Sequence, residues 1–205
     1  MSITLFVSWF CIMLMLMDPI GNTPTFNALL STVQPGRRTR ILARECTTAC
    51  CVLLFFVFFG KWAMDILQVT EGAISIAGGI TLFFIASRMV FKAPDEIFEG
   101  DPISAEPLIV PIAIPLIAGP SAIAMVMLWS AESAGDSGKI FSLSAAVMVA
   151  STVNALVLIL FGLPLARLLG ARGMLAAQRL VGLVLTAVAV EMTLKGVRGF
   201  VGTLQ

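Results

Sequence analysis

The sequence predicts an all-α polytopic membrane protein of six transmembrane helices, built as two inverted three-helix repeats, and three observations lead there. Of 205 residues, 59% are hydrophobic and only 12% charged, at a mean hydropathy of +1.01, whereas soluble domains run about 25% charged. The apolar residues gather in runs near 4–29, 44–64, 72–91, 107–131, 140–162 and 178–199, each long enough to cross a hydrocarbon core about 30 Å thick. The third observation is that the two halves of the chain echo one another.

In the first run, Pro19-Ile20-Gly21-Asn22-Thr23-Pro24 matches Pro115-Leu116-Ile117-Ala118-Gly119-Pro120 in the fourth, with both prolines in register. Phe59-Gly60, read as closing the second span, matches Phe161-Gly162 closing the fifth. Aligning Gly79 with Gly182 in spans three and six also aligns Ala86 with Ala189 and Met89 with Met192. The single domain 1–205 therefore divides into a repeat of about 1–94, an acidic connector 95–106 and a repeat of about 107–202. A half with three spans forces the next half into the bilayer the other way up, an arrangement recurrent in secondary transporters.

Composition also excludes functions. The net charge is +1 and the basic residues are scattered over short connections, so no nucleic-acid footprint exists; the partner is the lipid bilayer. With no histidine, Ser-His and Cys-His catalysis is unavailable, and an intramembrane aspartyl protease would need a second aspartate beside Asp18. No enzyme and no cofactor is expected. Cys11, Cys46, Cys50 and Cys51 read as buried free thiols packing as small apolar groups, and no metal site is expected of them.

Met1 to Met17 carries no Lys or Arg, so it is read as a retained first span and not as a signal peptide. The stretch from Gln34 to Arg44 holds Arg37, Arg38, Arg40 and Arg44, and the fifth-to-sixth connection holds Arg167, Arg172 and Arg179. Positive residues mark cytoplasmic loops. Together with Arg88 and Lys92 they place nine basic residues inside, against Lys61, Lys139, Lys195 and Arg198 outside, with both termini outside. The third-to-fourth connection carries Asp95, Glu96, Glu99, Asp101 and Glu106 and is read as a solvated connector.

Two prolines five positions apart with a glycine between them predict a short unwound segment in spans one and four. Irregular backbone survives at membrane depth only when buried in protein or lining a wet cavity. A half-helix is expected to restart near Pro24 and near Pro120, with unpaired N–H groups that attract anions. Gly21 and Gly119 let a ligand approach the backbone, while Asn22, Thr23 and Ser121 offer side-chain hydrogen bonds. Asp18, in mid-span, is read two ways: it accepts the ammonium of a zwitterion or carries a coupling proton, or it caps the restarted helix through Gly21 or Asn22. The substrate-binding set is thus Asp18, Gly21, Asn22, Thr23, Pro24, Gly119, Pro120 and Ser121.

Glu191 is expected to pair with Lys195 one turn on, Asn154 to hydrogen-bond between helices, and Gly78, Gly79 and Gly182 to mark close crossings. The two proline motifs, Asp18 to Phe26 and Pro115 to Ile123, resemble those of the MarC family of inner membrane proteins, and the likeness runs over essentially the whole chain. Ser121 departs from a glycine frequent in that family, and Glu191 from an uncharged amide. The resemblance implies transport of small neutral amino acids such as glycine and alanine, coupled to H+ (Na+ being the alternative ion), in the plasma membrane, or the inner membrane of a Gram-negative cell. A channel, an exporter of another small solute, or an accessory subunit are the competing readings.

Overall fold

The structure, a computed structural model, describes residues 3–30, 33–91 and 117–202. All its regular elements there are helical: α1 Ile3–Met17, α2 Pro19–Leu29, α3 Pro35–Leu67, α4 Glu71–Phe91, α5 Pro120–Glu132, α6 Ser137–Leu156 and α7 Gly162–Gly202. A π-helical segment, Val157–Phe161, joins α6 to α7, and α7 is interrupted at Gly170, whose φ of +60° is open to glycine. Five stretches are long and apolar enough to cross a membrane: Ile3–Thr23, Gly36–Leu67, Glu71–Phe91, Ser137–Leu160 and Arg172–Gly202. The expected fourth span is represented by α5, whose 13 residues reach only roughly 20 Å. Residues 107–116 lie outside the described residues, as do Lys92 and the acidic connector.

Several helix limits differ from expectation. The arginine stretch after Gln34 is not a loop: α3 begins at Pro35, which occupies the first helical turn, where its missing N–H costs nothing. Arg172 and Arg179 are likewise helical, and so is the backbone at Arg167. Arginine is a good helix former, and its long stem lets the charge reach past the end of the apolar zone. Gly60 does not close the second span either. It lies inside α3, where a side chain would stand 3.1 Å from the Met127 backbone of α5.

The tightest packing joins α4 to α7, and its register is set by small residues. Gly72 lies against Gly196, Gly79 against the Ala189 carbonyl, and Gly182 against the Ala86 carbonyl. The contact positions step by seven along each helix in opposite directions, so the pair is antiparallel with a recurring small-residue seam. A Cβ added to Gly79 would meet Ala189 O at 2.8 Å, and one added to Gly182 would meet Met89 Cβ at 2.9 Å, which confirms the expected close crossings. Ser75 ties the seam by donating its hydroxyl to Met192 O at 2.7 Å.

α5 is buried on nearly every side, from Ser121 and Ala122 through Met125, Val126 and Trp129, so it forms the centre of the bundle. Its Ser130 hydroxyl donates to Val57 O of α3 at 2.8 Å. The outside is apolar, with Phe55, Phe58, Phe59, Trp62, Phe84 and Leu180 all largely exposed. Lipid is the solvent for that surface. Cys46 is buried, but Cys11 and Cys51 face outward and all four thiols are free, so the expected burial holds for Cys46 and fails for those two. On a lipid-facing surface an apolar thiol is as well placed as in a core.

Candidate functional site

The break in the first span is a single residue. Pro19 crowds the residue before it out of the α region, and Asp18 takes a φ of +40°, a conformation Asp tolerates because its short side chain bonds locally. Asp18 Oδ1 accepts the Gly21 N–H at 2.9 Å, so Asp18 is the N-cap of α2 and Pro19 its first residue. The capping role expected of Asp18 is therefore observed.

The helix does not restart near Pro24, nor is the stretch between the prolines unwound, because Pro24 lies within α2. Two neighbours support the interrupted backbone. Gly21 N has turned to Asp18, which leaves Met17 O without its usual donor, and Asn22 Nδ2 supplies one at 2.9 Å. Thr23 Oγ1 donates to Pro19 O at 2.7 Å. In lipid an orphaned carbonyl such as Met17 O needs a partner, so Asn22 closes the break, while the Thr23 hydroxyl adds a second bond to Pro19 O, an ordinary i−4 back-bond.

Asp18 Oδ2 makes no hydrogen bond to a described residue and stands over Gly21. A Cβ on Gly21 would collide with that oxygen and would lie 2.7 Å from Gln178 Nε2 of α7. Glycine at 21 is what lets a carboxylate and an amide share the space above the α2 backbone.

The second half-helix starts where expected. Gly119, extended at φ −62° and ψ 164°, is the N-cap of α5, with Pro120 as its first residue and no side-chain cap. Ile117, Ala118, Ser121 and Ala122 around it are buried, while Gly119 is half-buried and Pro120 exposed, so this helix end is accessible and not sealed into the core. The predicted residues thus form two groups, Asp18 with Gly21, Asn22 and Thr23, and Gly119 with Pro120 and Ser121, each gathered at one helix end. A groove of about 300 Å³ lined by Thr4, Leu5, Ser8, Trp9, Ile12 and Trp129 contains none of them.

A sequence profile described as MarC family integral membrane protein matches residues 3–201. The chain belongs to the MarC family. Among its relatives, "UPF0056 inner membrane protein YhgN" of Escherichia coli K12 is 39% identical over 91% of this chain and 93% of its own length. "UPF0056 membrane protein" of Buchnera aphidicola subsp. Baizongia pistaciae is 36% identical over 92% and 94%, and "UPF0056 membrane protein PYRAB13050" of Pyrococcus abyssi is 30% identical over 90% and 90%. No solved structure matches the chain. Membership in this family of membrane proteins agrees with the helical, lipid-facing architecture.

Two polar residues were missed in the sequence. Gln178 is one, since nothing local in α7 points to the first span. The other is Glu45, 6% exposed, whose Oε1 accepts from Arg44 Nη2 at 2.8 Å; its position inside the apolar run of α3 was the available signal. Asn154 does reach across helices, to Cys46 Sγ at 4.0 Å. The expected Glu191–Lys195 pair is replaced by Lys195 with Glu132 of α5, because the C-terminal ends of α5 and α7 approach one another.

Proposed function

We propose that the protein is a secondary transporter of small neutral amino acids of the glycine and alanine type, coupled to protons, with the substrate held near the bilayer midplane between the Asp18 break and the start of α5. The observation that carries this reading is a carboxylate oxygen, Asp18 Oδ2, that makes no hydrogen bond to a described residue, taken together with the start of α5, which no side chain caps. One attracts an ammonium and the other a carboxylate, the two ends of a zwitterion. An ionisable group at this depth is costly without a function, and a carboxylic acid can also take up and release a proton.

The inverted repeat belongs to this proposal and has support in the seam between α4 and α7. Gly79 aligns with Gly182 and Ala86 with Ala189, and the contacts exchange accordingly: Gly79 meets Ala189, and Gly182 meets Ala86. Trp9 and Trp129 also touch, with ring centroids 5.9 Å apart, and each stands nine positions from its own helix interruption, Asp18 or Pro120. In antiparallel repeats that spacing brings both interruptions to one depth, about 13 Å from the tryptophans. The nine-to-four distribution of basic residues orients the arginine-rich start of α3 to the cytoplasm and both termini outward.

Counterflow of labelled glycine in proteoliposomes tests the reading. Saturable exchange, inhibited by alanine and serine but not by glycinamide, is expected; non-saturating flux would make the protein a pore, and no flux with any small amino acid would end the proposal. Single cysteines at Gly36 and Gly135 should label from the cytoplasmic and outer sides, respectively. The reverse pattern would invert the topology.

A further inference from the structure

Gln178 lies on a stripe of α7 that is otherwise apolar and turned inward: Met174, Val181, Leu185, Ala189 and Met192 are buried or packed on the core. Gln178 is half-buried on this stripe, and its amide makes no hydrogen bond to a described residue, so its donors remain available to a ligand. Its Nε2 stands 2.7 Å from the point where a Gly21 side chain would begin, and Asp18 Oδ2 crowds the same point. An acceptor and a donor therefore lie side by side above one glycine, each without a described partner.

We propose that Gln178 is a specificity-determining residue that reads the carboxylate of an α-amino acid whose ammonium rests on Asp18. The inference deepens the transport reading and depends on it. The chemistry follows from the spacing: an α-amino acid carries its ammonium and carboxylate on one carbon, so donor and acceptor leave the ligand side by side, as acceptor and donor do here. Gln178 Nε2 donates to a carboxylate oxygen, in addition to any backbone N–H groups that the half-helix ends present. A β- or γ-amino acid has the same charges set further apart and fits the pair poorly. The same residue ties α7 of the second repeat to the interruption in the first, so the recognition element is shared by both halves.

The test is binding to purified full-length protein in detergent, by competition against labelled glycine, with glycine, β-alanine and ethanolamine as ligands; ethanolamine keeps the ammonium and replaces the carboxylate with a hydroxyl. A hydrogen bond to a charged group is worth roughly ten- to a hundred-fold in affinity. Gln178→Leu should weaken glycine by that factor, leave ethanolamine within about two-fold, and erase the preference for glycine over β-alanine. Gln178→Glu, nearly the same size, keeps the site falsifiable if the leucine variant misfolds: its second carboxylate should repel glycine and tighten ethanolamine. Equal losses for glycine and ethanolamine, or unchanged glycine affinity in either variant, would overturn the assignment of Gln178 while leaving the transport reading intact. Wild-type protein that binds no amino acid would overturn both.

Discussion

The two interrupted helices solve one problem in opposite ways. At α2, the helix N-terminus is closed by its own chain: Asp18 Oδ1 takes the Gly21 N–H, and Asn22 and Thr23 supply donors to the carbonyls around the break. At α5, Gly119 brings no side chain, and the first turn of a buried helix is left without a side-chain cap. A helix end that caps itself with a carboxylate presents negative charge outward, whereas an uncapped end presents its N–H groups. Two sequence motifs that look alike, each two prolines around a glycine, therefore yield sites of opposite polarity. A symmetric cradle of two positive ends is not what the chain builds.

The most damaging change should be at the negative end. Asp18→Asn keeps an N-capping side chain but removes the charge, and we expect full loss of uphill glycine accumulation under a proton gradient, with expression retained and exchange surviving. Wild-type accumulation by this variant would remove Asp18 from coupling. Next in size is Gly119→Asp, which makes the two ends alike by giving α5 a carboxylate cap of its own. Glycine affinity should drop by at least about ten-fold, since the new carboxylate occupies the anion position, and unchanged affinity would show that the α5 end holds no substrate carboxylate.

Gly21→Ala is milder. The methyl pushes against Asp18 Oδ2 and Gln178 Nε2, and affinity should weaken several-fold, while the melting temperature stays close to wild type because alanine suits a helix better than glycine by about 1 kcal/mol. A variant that binds as wild type does would mean the space above Gly21 is idle. The smallest effect is reserved for Glu132→Gln, at the other end of α5. Breaking this exposed pair with Lys195 should cost less than about 1 kcal/mol in thermal unfolding, and a larger loss would give the distal ends of α5 and α7 a structural weight that their exposure does not suggest.

The residues that were legible in advance are those whose effect is local. Apolar runs located the helices, and the small residues of α4 and α7 announced their crossing, because periodicity and side-chain size act on the nearest neighbours. The helix ends were misplaced where arginines follow Pro35, since charge suggests a loop while arginine's stem suits a helix. Asp18 as a cap was readable, but Pro24 was weighted as heavily as Pro19. A proline in the first helical position starts a helix, and the second proline lies within α2 without ending it. Gln178 could not be found by inspection of its neighbourhood in sequence. Its neighbour is a glycine in another helix, just as Lys195 passes over Glu191 to reach Glu132.

The seven-residue step of the seam between α4 and α7 has a mechanical meaning. Gly72, Gly79 and Ala86 stand against Gly196, Ala189 and Gly182, and the larger Ile76 and Met192 lie between these notches along the two helices. Such a seam behaves as a detent, held in place except for a jump of a full seven-residue interval, about 10 Å. In the proposed transport cycle this joint stays locked, and the strokes fall to the elements hung upon it: the broken first helix and the short helix that begins at Gly119.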